Sequence, residues 1–460
     1  MTLVIISILL IAYLLIATER LSNMNKAAVA VFAGTVGWVL YICYGNDYVM
    51  SQHPSDYTDF LNGAKPTSIA VKEYIAQNIF LKYVGHAASI VLFLLATMTI
   101  VEILNNNGCF DFLKQLMRTR RSKHLLWIIG LVTFVISANL DNLTTTVMML
   151  TMMHSIIPNR RYRMIYGSAI VIATNCGGSL TLIGDPSQLV IWDRGAVTAT
   201  SFSMTLLAPC LIAWVLPTWW ISRMLPERIE TEWSTMPYRG DDTNLNVWQR
   251  LLMLVVGIGG LWFIPTFHNI TKLSPFLGAM CVLAVLWIVN EIFNRKLMHV
   301  DDMIQRRTPR VLQYGILQMM LFVMGMMLAV GVVQETGAVH VLAEWLDRHI
   351  HSVWIFGGIA GVISSVLDNF ASAISFFSLY SVADASATGY ASEFATNGMF
   401  WKVIAYSVGV GGSILCFGSI SGLAFMKMER LHIGWYFRHI GFMAFISWII
   451  GLIVMWLVSA

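Results

Sequence analysis

The sequence predicts an all-α polytopic membrane protein: an inverted repeat of five spans plus one re-entrant hairpin per half, with two broken helices. Composition is the first observation behind this. Of 460 residues, 57% are hydrophobic and 12% are charged, about half the charged share of a typical soluble domain. The second is that apolar runs near the roughly 20-residue bilayer-spanning length recur along the whole chain. The third is a motif that occurs twice. Ser137-Ala-Asn-Leu-Asp141-Asn142 precedes Asn175-Cys-Gly177-Gly178-Ser179-Leu-Thr-Leu-Ile-Gly184, and Ser364-Ser-Val-Leu-Asp368-Asn369 precedes Gly409-Val-Gly411-Gly412-Ser413-Ile-Leu-Cys-Phe-Gly418. An acid inside an apolar run costs several kcal/mol and persists where it faces a partner, a cavity or an ion path. Paired acids beside helix breaks are the mark of a secondary transporter.

In chain order, spans are expected at 3–17, 27–44, 83–105, 164–192, 200–222, 248–266, 274–293, 313–334, 398–426 and 441–458. The first run lacks a basic leader and is followed by Glu19 and Arg20, so it reads as a retained span rather than a cleaved signal. Segments 125–156 and 353–382 each carry an Asp-Asn pair near the middle. An arm of about 15 residues makes a helix of roughly 22 Å, short of the ~30 Å hydrocarbon core. Each segment therefore reads as a re-entrant hairpin with Asp-Asn at its tip. The breaks at Gly177-Gly178 and Gly411-Gly412 divide spans 164–192 and 398–426, glycine permitting backbone conformations that other residues resist.

Charge orients the chain. If the loop after the first span is cytoplasmic, 22 of the 29 Lys and Arg residues, Lys26 among them, fall inside, as the positive-inside bias requires. Both termini then lie outside. The count works only if the two hairpins enter from opposite faces. An odd number of spans per half makes residues 1–222 and 248–460 inverted repeats, joined by a cytoplasmic linker at 223–247. The net charge of +4 is too small to imply nucleic acid, and six scattered cysteines form no CxxC pair.

The tip acids carry the chemistry. Helices starting after Asp141 and Asp368 aim free N–H groups at the midplane. Asn142, Thr144, Asn369 and Ser372 add neutral oxygens beside the tips, and Asn175, Ser179 and Ser413 add more from the breaks. Such a set suits a small hard cation, here Na⁺. Asp185, in Gly184-Asp185-Pro186-Ser187, belongs to the first half alone, because Ser419 follows Gly418 at the matching place. A proline there fits the first turn of a half-helix capped by Asp185. Glu102 and His86 on span three are further candidates for a proton or pH role. The expected site holds no Lys or Arg, which disfavours anionic cargo such as organic anions or arsenite, since like charges repel. Desolvation raises a buried carboxylate's proton affinity and a bound cation lowers it, so H⁺ and Na⁺ can compete for one Asp and exchange without any cofactor. An aspartyl protease built on Asp141 and Asp185 is the enzymatic alternative, and the inverted repeat argues against it.

These residues also carry a resemblance. Ser-Ala-Asn-Leu-Asp-Asn-Leu-Thr-Thr-Thr at 137–146, Gly-Gly-Ser-Leu-Thr-Leu-Ile-Gly-Asp at 177–185, Gly-Gly-Ser-Ile-Leu-Cys-Phe-Gly-Ser at 411–419 and Met98-Thr99-Ile100-Val101-Glu102 resemble the NhaD-type sodium/proton antiporters of the ion transporter superfamily. The similarity extends over nearly the whole chain. It implies Na⁺ and Li⁺ efflux against protons across a bacterial cytoplasmic membrane. It further implies functional importance of Asp141, Asn142, Asn175, Asp185, Asp368 and Asn369, a homodimer, and elevator-type motion.

Overall fold

The computed structural model describes residues 1–22, 24–63, 65–231, 245–294, 310–384 and 386–459, and no strand longer than an isolated bridge occurs among them. The principal helices of the first stretch are α1 (Thr2–Ala17), α2 (Lys26–Cys43), α3 (Leu81–Asn106), α4 (Ser122–Ser137), α5 (Asn142–Ile156), α6 (Arg160–Gly178), α7 (Pro186–Asp193) and α8 (Ala199–Ser222). Those of the second are α9 (Val247–Thr271), α10 (Pro275–Asn294), α11 (Arg310–Glu335), α12 (Val353–Val366), α13 (Asn369–Phe377), α14 (Met399–Gly411), α15 (Ile420–Glu429) and α16 (Phe442–Ser459).

Among the described residues, seven helical stretches are long and apolar enough to cross a membrane, and the chain is a multi-pass membrane protein. Ten such runs were expected. The difference lies in α1, which has only 16 residues, and in the segments 164–192 and 398–426. The helix of the first segment ends at Gly178 and resumes at Pro186; that of the second ends at Gly411 and resumes at Ile420. Span three is longer than its apolar run, because helix continues back from Leu81 to Ser68 through one π-helical stretch, Ile75–Phe80. Hydropathy marks only the part that suits hydrocarbon, and Lys72, Glu73, Asn78 and Lys82 extend the helix beyond it. Most of the expected 223–247 linker, with Arg239, lies outside the described residues, as do Arg295, Lys296, Arg306 and Arg307.

Local sequence explains where helices start. Asn25 and Asn159 accept N–H bonds from Ala27 and Arg161, both at 2.9 Å, at the heads of α2 and α6. Asn246 and Gln249 form a reciprocal capping box at the head of α9. Close packing then depends on small residues. Helices α2 and α11 cross at Gly34 and Gly325, where a Cβ on Gly325 would stand 2.5 Å from the Val31 nitrogen. Without a solvent-driven hydrophobic force, such backbone approach is what joins helices in lipid.

Burial separates an interior from a rim. Helix α6 is buried without interruption from Ile165 to Gly178, and α14 from Phe400 to Gly411. A helix buried on every side belongs to the centre of a bundle. Helix α4 packs along α6, and α12 along α14. At the rim, α9 exposes Trp248, Trp262, Phe263 and Ile270, apolar side chains that only hydrocarbon solvates well.

Candidate functional site

Four helices begin in the interior, and each has a side-chain cap. Asp141 Oδ1 accepts from Thr144 N–H at 2.9 Å at the head of α5, and Asp368 Oδ1 from Phe370 N–H at 3.0 Å at the head of α13. Asp185 Oδ1 accepts from Ser187 N–H at 2.9 Å at the head of α7, where Pro186 takes the first helical position. Ser419 Oγ accepts from Gly422 N–H at 3.1 Å at the head of α15. Three interior helices thus start at acids and the fourth starts at a hydroxyl. Each acid sits where unpaired N–H groups and the helix dipole favour negative charge.

The asparagines tie each tip to its break. Ser137 Oγ stands 2.8 Å from both Asn142 Oδ1 and the Thr174 carbonyl. Ser364 Oγ stands 3.0 Å from the Asn369 amide and donates to the Val408 carbonyl at 2.7 Å. The two constructions match atom for atom up to the amide. Beyond it they diverge. Asn142 Nδ2 donates to Asp185 Oδ2 at 2.5 Å. With Ser419 at the place of Asp185, the Asn369 amide is best satisfied turned the other way, its nitrogen 2.8 Å from the Gly418 carbonyl.

The glycines of the breaks act through space rather than through unusual torsion. Gly177, Gly178, Gly411 and Gly412 all have ordinary negative φ, which corrects the expectation that they supply rare backbone conformations. A Cβ on Gly178 would collide with the Asn142 amide, and one on Gly412 with the Asn369 amide. Gly177 abuts the Phe134 carbonyl and Gly411 the Gly361 carbonyl. Small size lets each break press against its tip.

The two breaks also touch each other. Asn175 Nδ2 donates to Ser413 Oγ at 3.0 Å and to Ser419 Oγ at 2.9 Å. Gly409 lies against Ser179, and Gln188 Nε2 donates to the Ala405 carbonyl at 3.3 Å. Of the expected site residues, Asp141, Asn142, Thr144, Asn175, Asp185, Asp368, Asn369, Ser372 and Ser413 all belong to the tips and breaks, and all but the half-buried Thr144 are buried. Several buried oxygens have no hydrogen-bond partner among the described residues: Asp141 Oδ2, Thr145 Oγ1, Asn175 Oδ1, Gln188 Oε1 and Ser372 Oγ. A water, a proton or an ion can each complete a buried oxygen of this kind.

His86 and Glu102 stand apart. His86 Nδ1 is 2.8 Å from Asp193 Oδ2, at the far end of α7 from Asp185, on a cavity of about 740 Å³ that also meets His53, Arg194 and Glu335. Glu102 is half-buried near the end of α3, about 24 Å along the helix from His86.

One expectation fails outright. The site was expected to be free of basic residues, yet Lys26 Nζ lies 2.6 Å from Asp368 Oδ2. Lys26 reads in sequence as a loop charge flanking a span; the cap at Asn25 instead makes it the first residue of α2 and turns it inward. Asp141 and Asp185 have no such ion-pair partner among the described residues. Ser137, Ser364, Ser419 and Gln188 were not among the expected site residues, although Ser137 and Ser364 each stand five residues before an asparagine in the repeated motif.

Comparison with known proteins decides the family. A family model described as "Citrate transporter" matches residues 1–401. The chain belongs to the citrate transporter family. Members of this family are transporters, not enzymes. "Sodium/proton antiporter 2" of Arabidopsis thaliana is 32% identical over 375 residues, covering 80% of this chain and 84% of that protein. "Sodium/proton antiporter 1" of the same plant is 30% identical over 395 residues, 85% of this chain and 64% of that longer protein. "Na(+)/H(+) antiporter NhaD" of Vibrio parahaemolyticus is 26% identical over 366 residues, 75% of this chain and 83% of that protein. The relatives named here all carry the name sodium/proton antiporter.

Proposed function

We propose that this transporter exchanges cytoplasmic Na⁺ for external H⁺, with the two cations competing for the buried carboxylates of Asp141 and Asp185. The observation that carries the reading is the state of those two acids. Both are buried without a basic partner among the described residues, the amide of Asn142, next to Asp141 in the chain, donates to Asp185, and Asp141 keeps one oxygen unpartnered. A lone buried carboxylate is costly when charged, so it takes up either a proton or a cation, and the choice between them is the exchange. Thr144 on the helix that Asp141 caps, and Asn175 and Ser413 at the paired breaks, are the neutral oxygens this reading assigns to the ion, with Ser372 on the helix after Asp368. The names of the relatives support the same cargo.

In this reading Li⁺ is also carried, and residues 1–222 and 248–460 form inverted repeats whose hairpins (125–156, 353–382) and broken helices (164–192, 398–426) meet at the midplane. Alternating access proceeds by elevator-type motion of a homodimer in a bacterial cytoplasmic membrane, both termini outside. The word citrate in the family description raises the anionic alternative. Lys26 offers a tricarboxylate little, because Asp368 already neutralises it.

Everted vesicles separate the two readings. Addition of Na⁺ should alkalinise an acidified lumen, and Asp141→Asn should abolish the response in a protein that still reaches the membrane. Citrate uptake without any Na⁺ response would select the anion carrier instead.

A further inference from the structure

Asp368 is fully engaged. One of its oxygens caps α13 through Phe370 N–H, and the other meets Lys26 Nζ at 2.6 Å. The ammonium also lies 4.5 Å from the centroid of the Phe322 ring, in position for a cation–π contact. Lys26 is 15% exposed and Asp368 7%. A cavity of about 410 Å³ reaches the pair and is lined further by Glu19, Ser419 and His432. A cation entering by this cavity meets a carboxylate whose charge is already balanced by a tethered ammonium, and the two positive charges repel. Asp141 has no such occupant.

We propose that Lys26 is a built-in cation filling the second acidic tip, so that the transported ion is held at the first-half carboxylates and each chain carries one cargo site. The inference rests on the exchange reading for Asp141 and Asp185, and goes beyond it by assigning the two tips different jobs. Lys26 acts as a positioning residue: it holds α2 against α13 and keeps cargo off Asp368. Removing either partner alone strands the other's charge; a stranded carboxylate can be balanced by Na⁺ or a proton, whereas the half-buried ammonium left without its acid takes up no cation. The informative variants therefore change Lys26, alone or with Asp368.

The experiment is equilibrium binding of ²²Na⁺ to the purified full-length protein, with thermal melting as the check of folding. Wild type and K26R should bind one Na⁺ per chain. K26Q frees Asp368 and should bind two, and K26Q/D368N should return to one. A folded K26Q that still binds a single Na⁺, or a folded K26Q/D368N that binds none, overturns the proposal. Adding Asp141→Asn to K26Q separates this idea from the exchange reading. One remaining Na⁺ supports both; two remaining leaves Lys26 as the gate of Asp368 and removes Asp141 as a cargo ligand.

Discussion

The two acidic tips are built alike and partnered differently. At each, a serine five residues upstream holds an asparagine, an aspartate caps the following half-helix, and a glycine of the neighbouring break presses on the amide. At the first tip the amide reaches a second carboxylate, Asp185, and Asp141 keeps a free oxygen. At the second the matching residue is Ser419, and the aspartate is paired with Lys26. The repeated motif thus supplies two copies of one helix-capping device. Two single-residue differences, Asp185 against Ser419 and the arrival of Lys26, then decide which copy has charge to spare. Alike capping motifs can carry unlike charge balance, because electrostatics depends on the few charged groups and not on the backbone that carries them.

That contrast can be broken most severely at the first tip. Asp141→Asn and Asp185→Asn should each lower Na⁺-driven proton exchange by about 100-fold or more, equivalent to roughly 2.7 kcal/mol of lost stabilisation, with folding retained in thermal melts. An equal loss from a folded K26Q/D368N protein would erase the distinction between the tips.

A smaller effect is expected at the glycines. Gly178→Ala and Gly412→Ala push a methyl group into Asn142 and Asn369, and overpacking of this kind costs about 1–3 kcal/mol. Both should melt earlier, but only Gly178→Ala disturbs the Asn142–Asp185 contact and should raise the KM for Na⁺. Smaller again, Ser137→Ala and Ser364→Ala each remove a buried hydrogen bond worth about 1 kcal/mol. Unequal effects on exchange with equal effects on stability would sharpen the contrast.

The mildest prediction concerns pH. His53, between the short helices Gly45–Gln52 and Pro54–Leu61, bonds to Glu335 Oε2 at 2.7 Å, and that bond raises its pKa above the ordinary value. Asp56 adds to the rise, while burial and Lys82 oppose it. A raised folded-state pKa means the contact contributes fully below about pH 6.5, the unfolded value, and is lost as pH climbs through the folded value. His53→Gln should therefore lower the melting temperature at pH 5.5 and leave it nearly unchanged at pH 9, as a pH series of thermal melts would register.

Much of this protein is legible in one dimension. Hydropathy marks the long spans, because a span must satisfy its own backbone and carry apolar side chains; it leaves unmarked the more polar helices Gly45–Gln52, Pro54–Leu61 and Ala338–His349. The repeated Ser-x-x-x-Asp-Asn and Gly-Gly-Ser strings locate the tips and breaks for the same local reason: capping and close approach depend on residues a few positions apart. Asp185 as a helix cap followed from the proline after it. What could not be read was every contact made across long stretches of chain. Lys26 lies 342 residues from Asp368, and no periodicity links them. Asn175 meets Ser413 and Ser419 only once the two breaks are packed together. Sequence determined the elements and the chemical groups they carry, since those follow from local hydrogen bonding and transfer from water. Tertiary structure alone decided which acid is neutralised and which is left open, because a charge is balanced by whatever lies within a few ångströms in space, however distant it is along the chain.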